Sequence, residues 1–258
     1  MRLMKRILSA AAVLALSASL LVGCSSGTAS SVPVSASSAA ESTVSSVEET
    51  ASSAVDENEA AAAQLLNDLT GSYQELWPVI LADEYKQTWL DDCTALVGEE
   101  NAEAAFEKLS SMVTGDVYSE DAVEAYANGG GAYFCGFTND LATLTFDGET
   151  STISGTDKDG NVLFSHTYHY IGMEPVHGLY EFESDDADSG EFTYFFLAPD
   201  TSAETYHIEF RYGSDAEALS QYDAGEYAYW VASGISTDCD QTMIDNCIEL
   251  FCTENLAG

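Results

Sequence analysis

Apolar and polar residues change rhythm along the chain, and the changes mark its parts. Residues 7–22 are apolar or small throughout and follow Arg2, Lys5 and Arg6. That run is shorter than the roughly 20 apolar residues a bilayer-spanning helix needs. Residues 25–58 carry Ser, Ala, Val, Thr and Glu with one Pro and no aromatic residue. Such a stretch cannot bury enough apolar area to offset the entropy of ordering it, so it is expected to be a tether. Helical periodicity then appears at 59–69, 83–96 and 102–112. Beyond Asn128-Gly129-Gly130-Gly131 the period shortens to that of strands. Short runs of aromatic and β-branched residues at 132–137, 141–146, 150–154, 162–171, 178–183, 191–197 and 206–212 predict strands. Asp147-Gly148 and Asp159-Gly160 predict hairpin turns between them. A short helix is predicted at 214–222 and an amphipathic one at 240–251. Consecutive hairpins flanked by helices predict a mainly β (α+β) fold, an antiparallel meander closed into a barrel.

The N-terminal pattern ends in Leu21-Val22-Gly23-Cys24, which resembles the lipobox of bacterial lipoproteins. The resemblance implies a cleaved signal at 1–23 and an acyl chain on Cys24. It places the mature chain at the cell membrane, lipid-anchored on the extracytoplasmic face. Three organisational units are therefore expected: signal at 1–23, lipidated Cys24 and tether at 24–58, and one globular domain at 59–258. A flexible tether of this length spans on the order of 30 Å root-mean-square. All 14 Tyr, 11 Phe and 3 Trp lie in the domain, enough for a sizeable core.

Charge narrows the function. Loss of the signal leaves four basic residues against 44 acidic ones, a net charge of −40. Nucleic acid is excluded, because no basic patch can neutralise phosphates. Anionic lipid is repelled too, so the membrane contact rests on the acyl chains. Beyond Cys24 the cysteines are Cys93, Cys135, Cys239, Cys247 and Cys252. An exported chain permits disulfides, and an odd count leaves at least one thiol free or paired between chains. Cys247 and Cys252 point to different sides of a helix and are not expected to bridge each other.

Chemical motifs are sparse. The loop Asp157-Lys158-Asp159-Gly160-Asn161 fails the calcium pattern of the EF-hand, since its twelfth position is Tyr168 and not Glu. A hairpin turn is expected there. Walker, nucleophile-elbow and His-Glu-x-x-His motifs are absent, so an enzyme is not expected.

Several segments, in order, resemble the ZinT family of extracytoplasmic zinc-binding domains. They are Gly71-Ser72-Tyr73-Gln74-Glu75-Leu76-Trp77-Pro78, Thr167-Tyr168-His169-Tyr170-Ile171-Gly172, Phe195-Phe196-Leu197-Ala198-Pro199 and His207-Ile208-Glu209-Phe210-Arg211-Tyr212-Gly213. The resemblance implies a calycin, lipocalin-like barrel that binds Zn²⁺ and shares it with the binding protein of an ABC metal importer. Position by position, the family's three His ligands fall here at Phe195, His207 and Glu209. Phe195 cannot ligate a metal; Glu209 can, through oxygen. The His-rich segment of many family members is missing.

The strand pattern puts His207 and Glu209 on one face, about 7 Å apart along the chain. They are expected to point into the barrel. Arg211 shares that face and is a candidate partner for Glu209. A third ligand is sought from His177, then His169, then His166. The competing use of the fold is a barrel that has lost the metal site. It would bind a small organic ligand among Tyr168, Tyr170, Tyr194, Phe195 and Phe196, or present a surface to a protein partner.

Overall fold

The computed structural model describes residues 57–127, 132–199 and 207–256. The signal at 1–23, Cys24 and most of the tether lie outside the described residues, as do the glycine run and Tyr206. Helix α1 runs through 57–68, so its turns include the last two positions expected of the tether.

Eight antiparallel strands close into a barrel in sequence order. They are β1 (Gly71–Glu75), β2 (Thr143–Asp147), β3 (Thr152–Thr156), β4 (Val162–Met173), β5 (Tyr180–Ser184), β6 (Tyr194–Leu197), β7 (His207–Gly213) and β8 (Ala232–Ser236). Between β1 and β2 lie α2 (Leu76–Ile80), α3 (Lys86–Val97), α4 (Ala102–Val113) and α5 (Glu120–Ala127). Helix α6 (Ala216–Leu219) follows β7, and α7 (Gln241–Leu256) ends the described chain. The expected class, an antiparallel barrel with flanking helices, is the class observed.

Side-chain alternation shows why the barrel closes. In β2, Leu144 and Phe146 are buried while Thr143 and Thr145 are partly exposed. In β4, buried Phe164 and Tyr168 alternate with exposed Ser165, Thr167 and His169. The inward set meets around the axis. Phe195 of β6 lies 5.9 Å from Phe164 of β4, 5.4 Å from Tyr168 and 5.4 Å from Tyr212 of β7. Burying each such ring contributes roughly 1.5–3 kcal/mol. Space for Phe164 comes from Gly155 opposite it, where a Cβ would stand 2.4 Å from the Phe164 ring.

A second core lies among the helices. Trp89 of α3 is fully buried, donates its indole N–H to the carbonyl of Ile80 at 2.7 Å, and packs near Phe106 and Phe251. Trp77 of α2 meets Phe251 edge-on at 4.7 Å.

Several expected elements differ. Residues 132–137 form no strand: Phe134 makes only isolated bridges to Thr114 and Trp230, while Cys135 accepts from Ser233 N–H beyond the end of β1. The stretch fills the gap where β1 turns away. The beginning of the strand expected at 191–197 is a 3₁₀ turn, Gly190–Phe192. The helix expected over 214–222 shortens to α6. The connection from β3 to β4 is stapled by Asp157, whose carboxylate accepts from the N–H groups of Asp159 and Asn161 and from the Asn161 side chain. These bonds hold the Asp157 carboxyl below its ordinary value.

Candidate functional site

Strand register fixes which way β7 faces. Tyr212 stands opposite Phe195 and Phe210 opposite Leu197, while Phe195 stands opposite Phe182 of β5. Ile208, Phe210 and Tyr212 therefore look into the barrel, each at most 1% exposed. His207, Glu209 and Arg211 look outward. This corrects the expectation that His207 and Glu209 point inside: the interior is already filled by aromatic rings. It also removes the expected organic-ligand pocket around Phe195, which is fully buried among its neighbours.

Outward does not mean solvated, because the chain between β7 and β8 folds back over the strand. Arg211 is 0% exposed. Its guanidinium donates to the carbonyl oxygens of Leu219 and Tyr227, and at 3.3 Å to that of Gln221. It also lies 4.1 Å from the centre of the Tyr222 ring. The two terminal nitrogens of Arg211 thus bond to this connection, and not to Glu209, which was the candidate partner. Burial lowers its pKa, and Tyr222 opposes that shift.

His207 stands opposite Ile235 of β8, and Glu209 opposite Ser233. Burial pushes the His207 imidazole down to about 4, so it is neutral at physiological pH. Cys135 comes close enough to feel the Glu209 charge. Burial first, and then Glu209, raise its thiol pKa, while Ser233 and Trp77 act in the opposite direction.

The tip between β4 and β5 completes this outer layer. Glu174 is 0% exposed and accepts from the backbone N–H of Val176 at 2.9 Å and of His177 at 2.6 Å. Burial pulls its carboxyl up, but the His177 side chain and these two N–H groups outweigh it, leaving the group below its ordinary value. The His177 ring lies 3.8 Å from that of Tyr222. Its buried Nδ1 is 3.4 Å from Glu174 Oε2 without hydrogen-bond alignment. Tyr222 feels both Glu174 and Glu209, so the tip and the middle of β7 share one neighbourhood.

The remaining histidines are elsewhere. His169 stands opposite Glu183, which is level with Tyr194 and Gly213. That puts it on the order of 20 Å along the sheet from His207 and three strands away. It is half-exposed and lies 2.8 Å from Asp185. His166 lies 2.8 Å from Asp186. Neither shares a site with His207.

Among the described residues, no group of three or more His, Cys, Asp or Glu side chains is placed to hold a metal ion. β7 contributes two donors on one face, and His177 is the histidine nearest in this layer by its contact with Tyr222. Glu174, Tyr222, Cys135 and Ser233 were not singled out from sequence as parts of this layer. They come from four segments, and no local pattern in any of them signals the meeting. A pocket of ≈ 330 Å³ adjoins it at the end of the barrel, lined among others by Glu75, Trp77, Val113, Phe134 and Cys135.

No protein-family profile matches the chain, and no curated protein matches it. The solved structures that are similar to the chain include two from one bacterium. The Zn(II)-bound ZinT-like domain of Streptococcus pneumoniae AdcA has 17% identity and a TM-score of 0.45, over 71% of this chain and 89% of that one. Zn(II)-bound AdcA from Streptococcus pneumoniae has 15% identity and a TM-score of 0.42, over 71% of this chain and 34% of that one.

Proposed function

We propose that the chain is an extracytoplasmic, lipid-anchored zinc-binding domain that takes up Zn²⁺ at the outer layer of the barrel and supports a metal importer. The observation that carries this reading is the placement of His207 and Glu209 two residues apart on one sheltered face of β7. An imidazole nitrogen and a carboxylate oxygen are both zinc donors. A neutral imidazole has no proton to lose before ligating. Arg211 keeps a positive charge two residues from Glu209, with its guanidinium turned to carbonyl oxygens of the β7–β8 connection and to the face of Tyr222. His177 is the third ligand in this reading, reached by a shift of the β4–β5 tip. The tether from Cys24 gives the domain a reach on the order of 30 Å toward an ABC-type importer at the same membrane.

Calorimetric titration of residues 25–258 with Zn²⁺ at pH 7.5 tests the reading. One site per chain is expected. His207→Ala and Glu209→Gln should each weaken it by at least roughly 10- to 100-fold. His177→Ala should weaken it and His169→Ala should not. Absence of binding heat, or unchanged affinity in His207→Ala, would overturn the zinc proposal.

The ≈ 330 Å³ pocket at the barrel end favours a second reading, a site for a small organic ligand against Trp77 and Phe134. Ligand-dependent quenching of tryptophan fluorescence that vanishes in Trp77→Phe would support it. A compound screen that leaves the emission unchanged would count against it.

A further inference from the structure

Two thiols meet in the helical core. Cys93 lies on α3 and Cys252 on α7, and their Sγ atoms are 3.9 Å apart. They are 159 residues apart in sequence, and both are 0% exposed. The helices that carry them are held in register by Trp89 and Phe251, whose rings lie 6.0 Å apart beside the pair. The other thiols have different surroundings. Cys135 adjoins Ser233 and Trp77, and Cys247 is near enough to Cys239 to feel its charge.

We propose that Cys93 and Cys252 are a disulfide site, oxidised by thiol–disulfide exchange with a small-molecule or protein disulfide outside the cytoplasm. The compartment rests on the export reading above; the pairing does not. The sulfurs stand 3.9 Å apart and close to about 2.05 Å on forming the bond. The exchange balances in two steps. One thiolate attacks the oxidant's disulfide, forming a mixed disulfide and releasing one thiol. The second cysteine sulfur then attacks the protein sulfur of that mixed disulfide, releasing the second thiol. Two protons pass from the protein thiols to the leaving thiolates, and the oxidant takes up two electrons. Burial raises both thiol pKa values and closes them to reagents, so exchange belongs to folding, before α7 docks on α3. Once docked, the bond is equally hidden from reductant.

The test is refolding of the purified full chain in a glutathione redox buffer, followed by alkylation of free thiols and non-reducing peptide mapping. Cleavage after Glu separates Cys252, within Leu250–Glu254, from Cys239 and Cys247. The expected product links that peptide to the one carrying Cys93. Recovery of Cys93 and Cys252 as alkylated thiols, or of Cys252 bonded to another partner, overturns the pairing. A second readout does not depend on any variant folding. The chain refolded in a phosphine reductant should melt on the order of 10 °C below the chain refolded oxidised, given the length of the closed loop. An unchanged Tm overturns the proposal as well. Cys93→Ser should abolish both the link and the reductant effect. Mapping the chain recovered from the membranes of an exporting host then tests the compartment separately. A chain that bonds in vitro but is reduced there sinks the export reading and spares the pairing.

Discussion

Acidification should weaken this fold through His207. Burial holds its imidazole at about 4 in the folded chain, whereas an unfolded histidine titrates near 6.5. Above 6.5 neither state carries the proton and the residue contributes nothing to pH dependence. Between 6.5 and about 4 the unfolded chain binds a proton here that the folded chain refuses, so stability falls as pH falls. Below about 4 both states are protonated and the loss is complete. Each tenfold difference in proton affinity is worth about 1.4 kcal/mol, so the full loss is about 3 kcal/mol and that at pH 5 about 2 kcal/mol. The wild type alone cannot isolate the effect, because 44 acidic residues begin to titrate in the same region and relieve their mutual repulsion. His207→Gln keeps a polar side chain of similar length and cannot take the proton. Urea unfolding followed by tryptophan fluorescence at pH 7.5, 6 and 5 should show the wild type losing about 2 kcal/mol more than the variant. Equal pH slopes in the two proteins, or an imidazole NMR titration centred near 6.5, would refute the reasoning. The same burial sets the pH profile of the proposed zinc binding. Proton competition at His207 does not begin until well below pH 6, so affinity should not drop at pH 6 on account of this ligand.

Two packing predictions test the layers on either side of β7. Arg211→Met should destabilise by about 3–5 kcal/mol in denaturant titration, because the carbonyls of Leu219, Gln221 and Tyr227 lose their donor and buried Glu174 loses a nearby positive charge. A change below about 1 kcal/mol would mean that the return connection does not depend on the guanidinium. Phe210→Ala should cost about 3–5 kcal/mol by the same measurement, since the ring is fully buried between Phe137 and Phe195. A near-neutral effect would contradict a filled barrel.

Most of the barrel was legible because its strands carry bulk on one parity. β2, β4 and β7 alternate large apolar with polar residues, and these positions are the ones that pair in register. β8 was missed for the converse reason. Its Ala232-Ser233-Gly234-Ile235-Ser236 is mostly small and carries no strand alternation. Smallness there is a packing requirement: a Cβ on Gly234 would stand 3.0 Å from the side chain of Ile208. β1 was quoted as part of a resemblance without being assigned as a strand, since five residues with two apolar neighbours give little periodicity. Alternation also gives two faces without saying which is inside. On β7 both faces are covered, so polarity alone pointed His207 and Glu209 the wrong way.

The covering of that outer face decides where chemistry can occur in this fold. A lipocalin-like barrel ordinarily offers its interior, but here Phe164, Tyr168, Phe182, Phe195, Phe210 and Tyr212 occupy it. The barrel is then a scaffold, and polar groups that a hollow barrel would place inside collect between its wall and two outer segments, the β4–β5 tip and the β7–β8 connection. Charges buried in such a layer are costly unless hydrogen-bonded. Glu174 meets that condition within its own tip, through the N–H groups of Val176 and His177, whereas Arg211 meets it only while the β7–β8 connection stays docked, because its partners are carbonyl oxygens of that segment. A metal held by His207 and Glu209 and completed by His177 must move the tip against the contact of His177 with Glu174 and Tyr222. In the proposed site part of the coordination energy would go into that rearrangement, which would link metal affinity to the docking of the tip. Releasing His177 from Glu174 should tighten zinc binding while loosening the apo fold, a pairing of effects that neither a rigid preformed site nor a purely structural histidine would give.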